Sequence, residues 1–395
     1  MKQFYLFMLL PLLATCTMKQ SPKTFGEDVE FLQKHLPDAI LLGDKASDAQ
    51  IIVAPSLQGR VMTSTASGLD GASFGWLNYD LIASGKSSPH MTAYGGEERF
   101  WLGPEGGQFS IYFQKGVPFT FANWQVPKEI DTEAFELVSS SMTEAKFEKS
   151  MHFENYSGIP LDLRVHRNVR VLSHSQMNEL LGVEVPQAVK VVGFETQNTI
   201  TNTGAQAWDK SHGMLSIWIL SMLNASEKTM VVAPVKEGEG LGPVYTDDYF
   251  GKVPADRLRH EKGLVFFKAD ANYRSKIGIS PKRAKPFICS YDASAGVLTI
   301  AQFDIPAGDH PYVNSKWEHQ KDPFSGDLVN SYNDGLNEGK QLGNFYEIES
   351  SSPAAALAPG QSLSHAHRTF HLKGSVEELN VVAKKILGIS VEQIH

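Results

Sequence analysis

Short runs in which apolar and polar residues alternate make up most of the chain. In the run 146–155, Phe147, Met151 and Phe153 fall on every second position, so their side chains share one face of a strand. Similar runs, separated by Gly, Pro, Asn or Asp, lie at 51–55, 60–64, 109–113, 136–143, 162–172, 190–202, 214–223, 229–234, 264–269, 276–279, 287–291, 297–303, 343–349 and 364–372. The pattern predicts a large antiparallel β-sandwich.

Helical spacing is clearest near the two ends of the chain, at 28–36 and 376–387. In the second segment, Leu379, Val382 and Ile386 form one apolar face that suits packing against a sheet. Because amphipathic helices do not separate the strands, the pattern excludes a doubly wound α/β fold. Residues 27–395 contain no evident linker, and we expect them to form one all-β domain with a few short helices.

The first residues have the pattern of a bacterial export signal. Lys2 precedes an apolar run from Phe4 to Leu13, which is too short to span a bilayer. Residues 13–16, Leu-Ala-Thr-Cys, have the form of a lipobox that places the lipid on Cys16, although Thr15 is unusual there. We expect a signal peptide at 1–15, lipidation of Cys16, a tether at 16–26 and a location in the bacterial cell envelope, facing the periplasm or the outer membrane. A plainly cleaved signal and an uncleaved anchor are the alternatives.

Charge narrows the range of partners. The chain of 395 residues has 36 Lys and Arg against 44 Asp and Glu, a formal net charge of −8. The basic residues do not cluster, so nucleic acid is an unlikely kind of ligand for this chain.

Four stretches resemble the galactose mutarotase-like (aldose 1-epimerase-like) superfamily. They are 94–107, with its Gly-Gly-Glu-Glu-Arg-Phe-Trp and Pro-Glu-Gly-Gly; 200–208, with Asn-Thr-Gly; 211–218; and 345–362, with Glu-Ser-Ser-Ser-Pro and Leu-Ala-Pro-Gly-Gln. The first of them is also similar to a stretch of mutarotase-like envelope lipoproteins. The resemblance implies a two-sheet supersandwich that binds a mono- or oligosaccharide and needs no cofactor.

The resemblance also implies a pair of catalytic residues, Glu349 as base and His212 as acid. Mutarotation needs one group that takes the proton of the anomeric hydroxyl and another that protonates the ring oxygen, and a carboxylate with an imidazole can do this near neutral pH. Glu347 lies two positions from Glu349 and therefore on the same strand face. A solvated pair of carboxylates and a structural histidine are the alternatives.

Two polar and aromatic segments are candidates for sugar contacts. Arg can bind hydroxyls or a carboxylate with its planar fork, and Trp offers an apolar face to a sugar ring. The predicted substrate-binding residues are Glu98, Arg99, Trp101, Glu105, Trp317, Tyr332, Asn333 and Asp334, in addition to Glu347. A structural Arg–Glu network is the alternative for residues 98–105, and a surface loop with turn chemistry is the alternative for residues 310–343.

A run of histidines near the C-terminus does not predict a metal site. His365, His367 and His371 share one strand face, which we expect to be solvated, and no acidic residues complete a ligand set. Two functions remain open beside mutarotation. One is glycan binding without turnover, and the other is a hydrolase or lyase on the same fold, in which Arg99 would neutralise a uronate.

Overall fold

The computed structural model describes residues 23–44, 48–337 and 339–395. The predicted signal peptide, the lipidation site at Cys16 and most of the predicted tether lie outside the described residues. None of the helices within the described ranges has the length and apolar character that a membrane span requires.

In the described part of the chain, nineteen strands form three antiparallel sheets. The smallest sheet contains β1 (Ile40–Asp44), β2 (Ala49–Ala54) and β3 (Arg60–Thr65). The six-stranded sheet contains β4 (Arg99–Gly103), β9 (Ser216–Leu220), β10 (Leu223–Asn224), β14 (Ser275–Ile279), β17 (Val329–Asn333) and β18 (Phe345–Ser351). The ten-stranded sheet contains β5 (Glu136–Ser140), β6 (Glu144–Glu154), β7 (Pro160–Val171), β8 (Lys190–Asn202), β11 (Thr229–Pro234), β12 (Leu258–Glu261), β13 (Leu264–Lys268), β15 (Phe287–Asp292), β16 (Val297–Phe303) and β19 (Ser362–Lys373).

The order of strands sets which residues meet. In the six-stranded sheet the order is β14-β17-β18-β9-β4, with β10 paired to β18, and in the ten-stranded sheet it is β12-β13-β11-β15-β16-β19-β8-β7-β6-β5. Both sheets bring together strands that are far apart in sequence, such as β4 and β9 or β8 and β19. The two large sheets pack face to face, because Tyr346 and Ser350 of β18 reach Ser290 of β15 and two histidines of β19.

Helices cover the outside of the sheets. α1 (Phe25–His35) begins at the capping residue Thr24 and packs on the small sheet, so it starts two residues before the predicted domain boundary at residue 27. α2 (Tyr79–Ser84) and α3 (Lys128–Asp131) are short. α4 (His174–Leu181) and α5 (Val376–Leu387) cover the outer face of the ten-stranded sheet through a shared apolar cluster.

The all-β architecture and the C-terminal helix are confirmed, and two local predictions are wrong. Residues 109–113 form turns rather than a strand. Val329–Asn333 form β17, although the segment 310–343 was expected to be a loop and Ser331–Gly335 a turn. β17 lies between β14 and β18, so pairing on both sides buries residues whose own propensity favours a turn.

Candidate functional site

One face of the six-stranded sheet collects polar and aromatic side chains from five strands. Residues directly opposite in an antiparallel pair point to the same side, and successive residues alternate. Register therefore places on this face Arg99, Trp101 and Gly103 of β4, Ser216 and Trp218 of β9, Glu347, Glu349 and Ser351 of β18, Asn330 and Tyr332 of β17, and Lys276 of β14. The opposite face carries Ile217, Ile219 and Ile348, which face the core.

Glu349 lies at the centre of this face and is 0% exposed. Its Oε2 accepts hydrogen bonds from Lys276 Nζ and from Trp218 Nε1, both at 2.9 Å, whereas its Oε1 has no partner among the described residues. The Lys276 ammonium also lies over the Trp218 ring, 4.9 Å from its centre. Glu349 is therefore shielded from the solvent by the two side chains that it anchors.

A second buried ion pair lies beside the first. Arg99 Nη2 donates to Glu347 Oε1 at 2.5 Å, and the guanidinium lies 4.9 Å from the centre of the Trp101 ring. Burial raises the pKa of Glu347, and the nearby Glu349 carboxylate adds to that rise, while Arg99 opposes it. Arg99, Trp101 and Glu347 thus form a second fixed cluster beside Glu349.

Loops above this face enclose a cavity of about 420 Å³, within the size range of small-molecule sites (~300–1,000 Å³). Its wall contains five aromatic side chains: Phe121, Trp218, Tyr249, Phe250 and Trp317. Three cations also line it, Arg274, Lys276 and Lys316. The mixture of flat apolar faces and converging polar groups is typical of a site for a polyhydroxylated ligand.

Two carboxyl groups that line the cavity have raised pKa values. Burial raises the pKa of Glu105 to about 7, with Lys276 opposing, Glu349 adding to the rise, and the bond to the Trp317 side chain lowering it again. Burial likewise raises the pKa of Asp327, which accepts a 2.6 Å hydrogen bond from the Tyr249 hydroxyl. Lys276 lowers the pKa of both groups, so both lie within its electrostatic reach.

Lys276 keeps its charge in this setting. Desolvation lowers its pKa, but the carboxylates of Glu349 and Glu105 outweigh that effect, and the net shift is upward. The cavity floor therefore has a fixed ammonium group between a buried carboxylate and a lining carboxyl. This arrangement can donate hydrogen bonds to sugar oxygens, and Glu105 can exchange a proton near neutral pH.

Arg274, which lines the cavity, is held by two buried polar side chains, Tyr332 and Asp334. Tyr332 Oη donates to Asp334 Oδ1 at 2.8 Å and accepts from Arg274 Nε at 3.3 Å. Asp334 also accepts from the backbone N–H of Gly343. Tyr332 and Asp334 are both buried and do not line the cavity. Their role is to position Arg274, which does line it.

Three of the predicted site residues lie elsewhere. Glu98 is fully buried and accepts from Arg167 of β7 at 2.9 Å, so it joins the sheets, the structural alternative considered for it. Asn333 faces away from the cavity and bonds the backbone of Ala271 and Tyr273. His212 lies in an exposed turn, where its Nδ1 contacts Asp209 at 2.9 Å, and it does not line the cavity.

Glu349 and His212, the predicted catalytic pair, therefore do not meet in this cavity. The physical reason is local: Asp209, Ser211 and His212 form a compact hydrogen-bonded turn before β9 begins. Of the predicted residues, Glu105 and Trp317 line the cavity, and Arg99, Trp101, Glu347 and Glu349 lie on the sheet face below or beside it.

Several residues that line the cavity were not predicted from the sequence. For two of them, Lys276 and Trp218, the sequence contains a feature that could have indicated their role. Lys276 is a charged residue inside an otherwise apolar strand run, and Trp218 ends one of the stretches that resemble the superfamily. Asp248 and Tyr249 follow Thr246 in a segment without strand character, and Asp327 is in the segment expected to be a loop. Nothing in the local pattern of these last residues indicates that they meet.

Two other features were considered as candidate sites, a second groove and the histidines of β19. A larger and more open groove of about 850 Å³ is lined mainly by the segments 281–286 and 302–312, and its lining includes Lys236, Lys282, Asp304, Asp309 and His310. The three histidines of β19 are buried rather than solvated, since His365 and His367 both bond Ser350 and His371 bonds Glu97. Within the described ranges, no group of three or more His, Cys, Asp or Glu is arranged to hold a metal ion.

Comparison with known proteins identifies the fold. The model of DUF6786, a family of unknown function, matches residues 23–395. No curated protein matches the sequence significantly. The solved structure of Slr1438 from Synechocystis sp. PCC 6803 is similar at a TM-score of 0.53, with 12% identity over 85% of this chain and 96% of the other.

Two further structures are similar. A candidate aldose 1-epimerase from Escherichia coli K12 has a TM-score of 0.50, with 11% identity over 84% of this chain and 98% of the other. A galactose mutarotase-like protein from Lactobacillus casei ATCC 334 has a TM-score of 0.48, with 10% identity over 84% and 99%. The similarity to the Escherichia coli structure confirms the expected galactose mutarotase-like β-sandwich as a fold, and activity is a separate matter at these identities.

Proposed function

The chain belongs to DUF6786, a family of unknown function, and we propose that it binds a saccharide in the cavity above the six-stranded sheet. The observation that carries the proposal is the convergence of aromatic faces and fixed polar groups from five separate strands and the loops above them. A sugar ring presents C–H faces to aromatic side chains and hydroxyls to charged ones, and this cavity offers both.

The aromatic wall of the cavity reaches the protein surface. Trp317 stacks on Trp124 at 5.7 Å, and Trp124 stacks on Phe121 at 6.0 Å. Phe121 is 60% exposed, which is unusual for a residue of this size. The wall thus extends from the cavity to the surface, which favours a chain end of an oligosaccharide as well as a monosaccharide.

Calorimetric titration of the purified protein with a panel of mono- and oligosaccharides tests this proposal. We expect at least one sugar to bind, and we expect Trp317→Ala to weaken it about tenfold, because one apolar face is lost. Met142→Ala, which truncates an exposed side chain on the turn between β5 and β6, is the matched control and leaves the affinity unchanged. Binding that survives Trp317→Ala intact would place the ligand elsewhere.

A second candidate function, interconversion of sugar anomers, is favoured by the pKa of Glu105. A carboxyl whose pKa is about 7 is partly protonated at neutral pH and can donate a proton. Glu105 would protonate the ring oxygen as the bond between C1 and that oxygen breaks, while Asp327 would take the proton of the anomeric hydroxyl. Rotation about the C1–C2 bond and ring closure, with both proton transfers reversed, then yields the other anomer.

In this scheme Glu349 is a positioning residue rather than the base, because Lys276 and Trp218 shield it. Polarimetry of freshly dissolved α-glucose and α-galactose tests the activity. We expect Glu105→Gln and Asp327→Asn each to slow interconversion by about a hundredfold, the usual range for a lost proton-transfer group. Equal rates with and without wild-type protein would leave binding as the function, and new reducing ends from an oligosaccharide would instead indicate a hydrolase.

We propose, from the sequence of residues 1–16, that the protein is an envelope lipoprotein acylated at Cys16. Growth with an alkyne-bearing fatty acid, followed by fluorescent tagging, should label the wild-type protein and not Cys16→Ala. Labelling of both proteins, or of neither, contradicts the assignment. Cys289 is the internal control, because its thiol is buried in the core.

A further inference from the structure

We infer that the saccharide that binds in this cavity carries an anionic group, a carboxylate or a phosphate, and that Arg274 recognises that group. The inference rests on the proposed saccharide site and adds the chemical class of its ligand. It is carried by the geometry of one side chain at the mouth of the cavity.

Arg274 is held in place without being neutralised. Its guanidinium carbon lies 3.7 Å from the centre of the Phe250 ring, and its Nε donates to Tyr332 Oη, which is itself fixed by Asp334. Phe250 packs edge-on against Tyr332 at 5.8 Å, so the ring below the guanidinium is itself held by the residue whose hydroxyl accepts from Nε. These contacts use the ring face and Nε, and they leave the two terminal nitrogens for a ligand.

The other cations that line the cavity already have counter-ions. Lys276 pairs with Glu349 at 2.9 Å, and Lys316 pairs with Asp248 at 3.1 Å. Within the described parts of the chain, Arg274 forms no ion pair with a carboxylate. Of the three cations that line the cavity among the described residues, Arg274 is therefore the one whose charge a ligand can balance without displacing a carboxylate.

The carboxyl groups around the cavity do not cancel this charge. Glu105 bonds the Trp317 side chain and Asp327 accepts from Tyr249, and Arg274 acts on Glu105 only as a nearby charge that lowers its pKa, without an ion-pair contact among the described residues. Glu318 also lines the cavity, but it is exposed to solvent, which screens its charge. A planar guanidinium with two free nitrogens matches the two oxygens of a carboxylate or phosphate.

Calorimetric titration with matched sugars tests the inference. The ligands are galacturonate, its methyl ester, galactose, glucose 6-phosphate and glucose. For the wild type we expect galacturonate or glucose 6-phosphate to bind about ten- to a hundredfold more tightly than its neutral counterpart, the range of a charge-assisted bidentate contact. The galacturonate and phosphate arms distinguish the two sources of the anionic group.

Three variants test whether Arg274 causes the preference for the acidic sugar. Arg274→Gln should abolish the acid preference, so that the acidic sugar and its neutral counterpart bind the variant with equal affinity. Tyr332→Phe, which removes the hydroxyl that orients Nε, should reduce the preference about threefold without abolishing it. Arg164→Gln, on an exposed arginine of β7 that pairs with Glu148, is the matched control and should retain the full preference.

The outcomes separate this inference from the proposed function. If neutral and acidic sugars bind equally to the wild type, the anionic-ligand inference is wrong while the saccharide site stands. If Arg274→Gln keeps the acid preference, Arg274 is not the recognition residue. If no sugar of either kind binds, the proposed function itself fails.

Discussion

Replacing Glu105 by Gln is expected to stabilise the protein at alkaline pH and to change its stability little at acidic pH. Burial raises the pKa of this carboxyl from its ordinary value of 4.5 to about 7 in the folded protein. The unfolded chain therefore loses the proton first as the pH rises. Between pH 4.5 and about 7 the folded state holds more protons than the unfolded state, so the free energy of unfolding falls as the pH rises.

The size of the effect follows from that shift. Each pH unit between the two pKa values corresponds to about 1.4 kcal/mol, so the full penalty of ionising Glu105 in the folded protein is at most about 3 kcal/mol. Glu105 is only half-buried, and water near the cavity reduces this value, so we expect about 1–3 kcal/mol at pH 8.5. Gln cannot ionise, and its side-chain oxygen can still accept from Trp317.

Urea unfolding of both proteins at several values between pH 5 and pH 8.5 measures this difference. The stability of the wild type relative to the Gln variant should decline from pH 5 to about pH 7 and level off above it, and contributions from other titrating groups cancel in the comparison. Glu136→Gln, on the exposed strand β5, is the control and should show a pH-independent difference of less than about 0.5 kcal/mol. A flat profile for Glu105→Gln would refute the argument that burial controls this carboxyl.

Three more outcomes follow from the contacts. Glu98→Ala should lower the free energy of unfolding by about 3 kcal/mol or more in urea, because Arg167 loses its buried partner, and should leave the sugar dissociation constant within twofold. Lys276→Met should cost about 3–5 kcal/mol in the same assay, because Glu349 remains buried without its counter-charge, and an unchanged urea midpoint would contradict the pairing. His212→Asn should change neither stability nor anomer interconversion by polarimetry, since the side chain is in an exposed turn, and a large loss of rate would restore the predicted catalytic role.

Much of the architecture could be predicted from the chain alone. The alternation in segments such as 190–202, 229–234 and 297–303 gives the bounds of strands β8, β11 and β16, and the spacing of 376–387 gives α5. These predictions succeed because side-chain periodicity is a local property: a strand with one buried face must repeat every two residues. The prediction of a loop at 329–333 failed for the converse reason. These residues form a strand because they pair with β14 and β18, and this pairing is not a local property of the sequence.

The candidate site divides in the same way. Glu105, Arg99 and Trp101 were found because they lie in a polar and aromatic stretch that resembles a known superfamily, and Trp317 was found because it lies in the polar and aromatic segment 310–343. Glu98 was assigned to the same site, yet it precedes Arg99 by one position and therefore points to the opposite face, where it meets Arg167. Adjacent residues of a strand point to opposite faces, so one can lie in the core and the next in the site, and composition does not show which of the two faces the cavity.

By itself, then, the sequence determined the β class, most strand positions, the terminal helix and the segments from which the site is built. Only the tertiary structure decided that Lys276 neutralises Glu349 across 73 positions, that Tyr249 holds Asp327, and that His212 stays in its own turn. Each of these contacts depends on strand order and register, which are set by the packing of residues far apart in the chain. Which carboxyl groups reach the cavity is consequently a property of the assembled sheets.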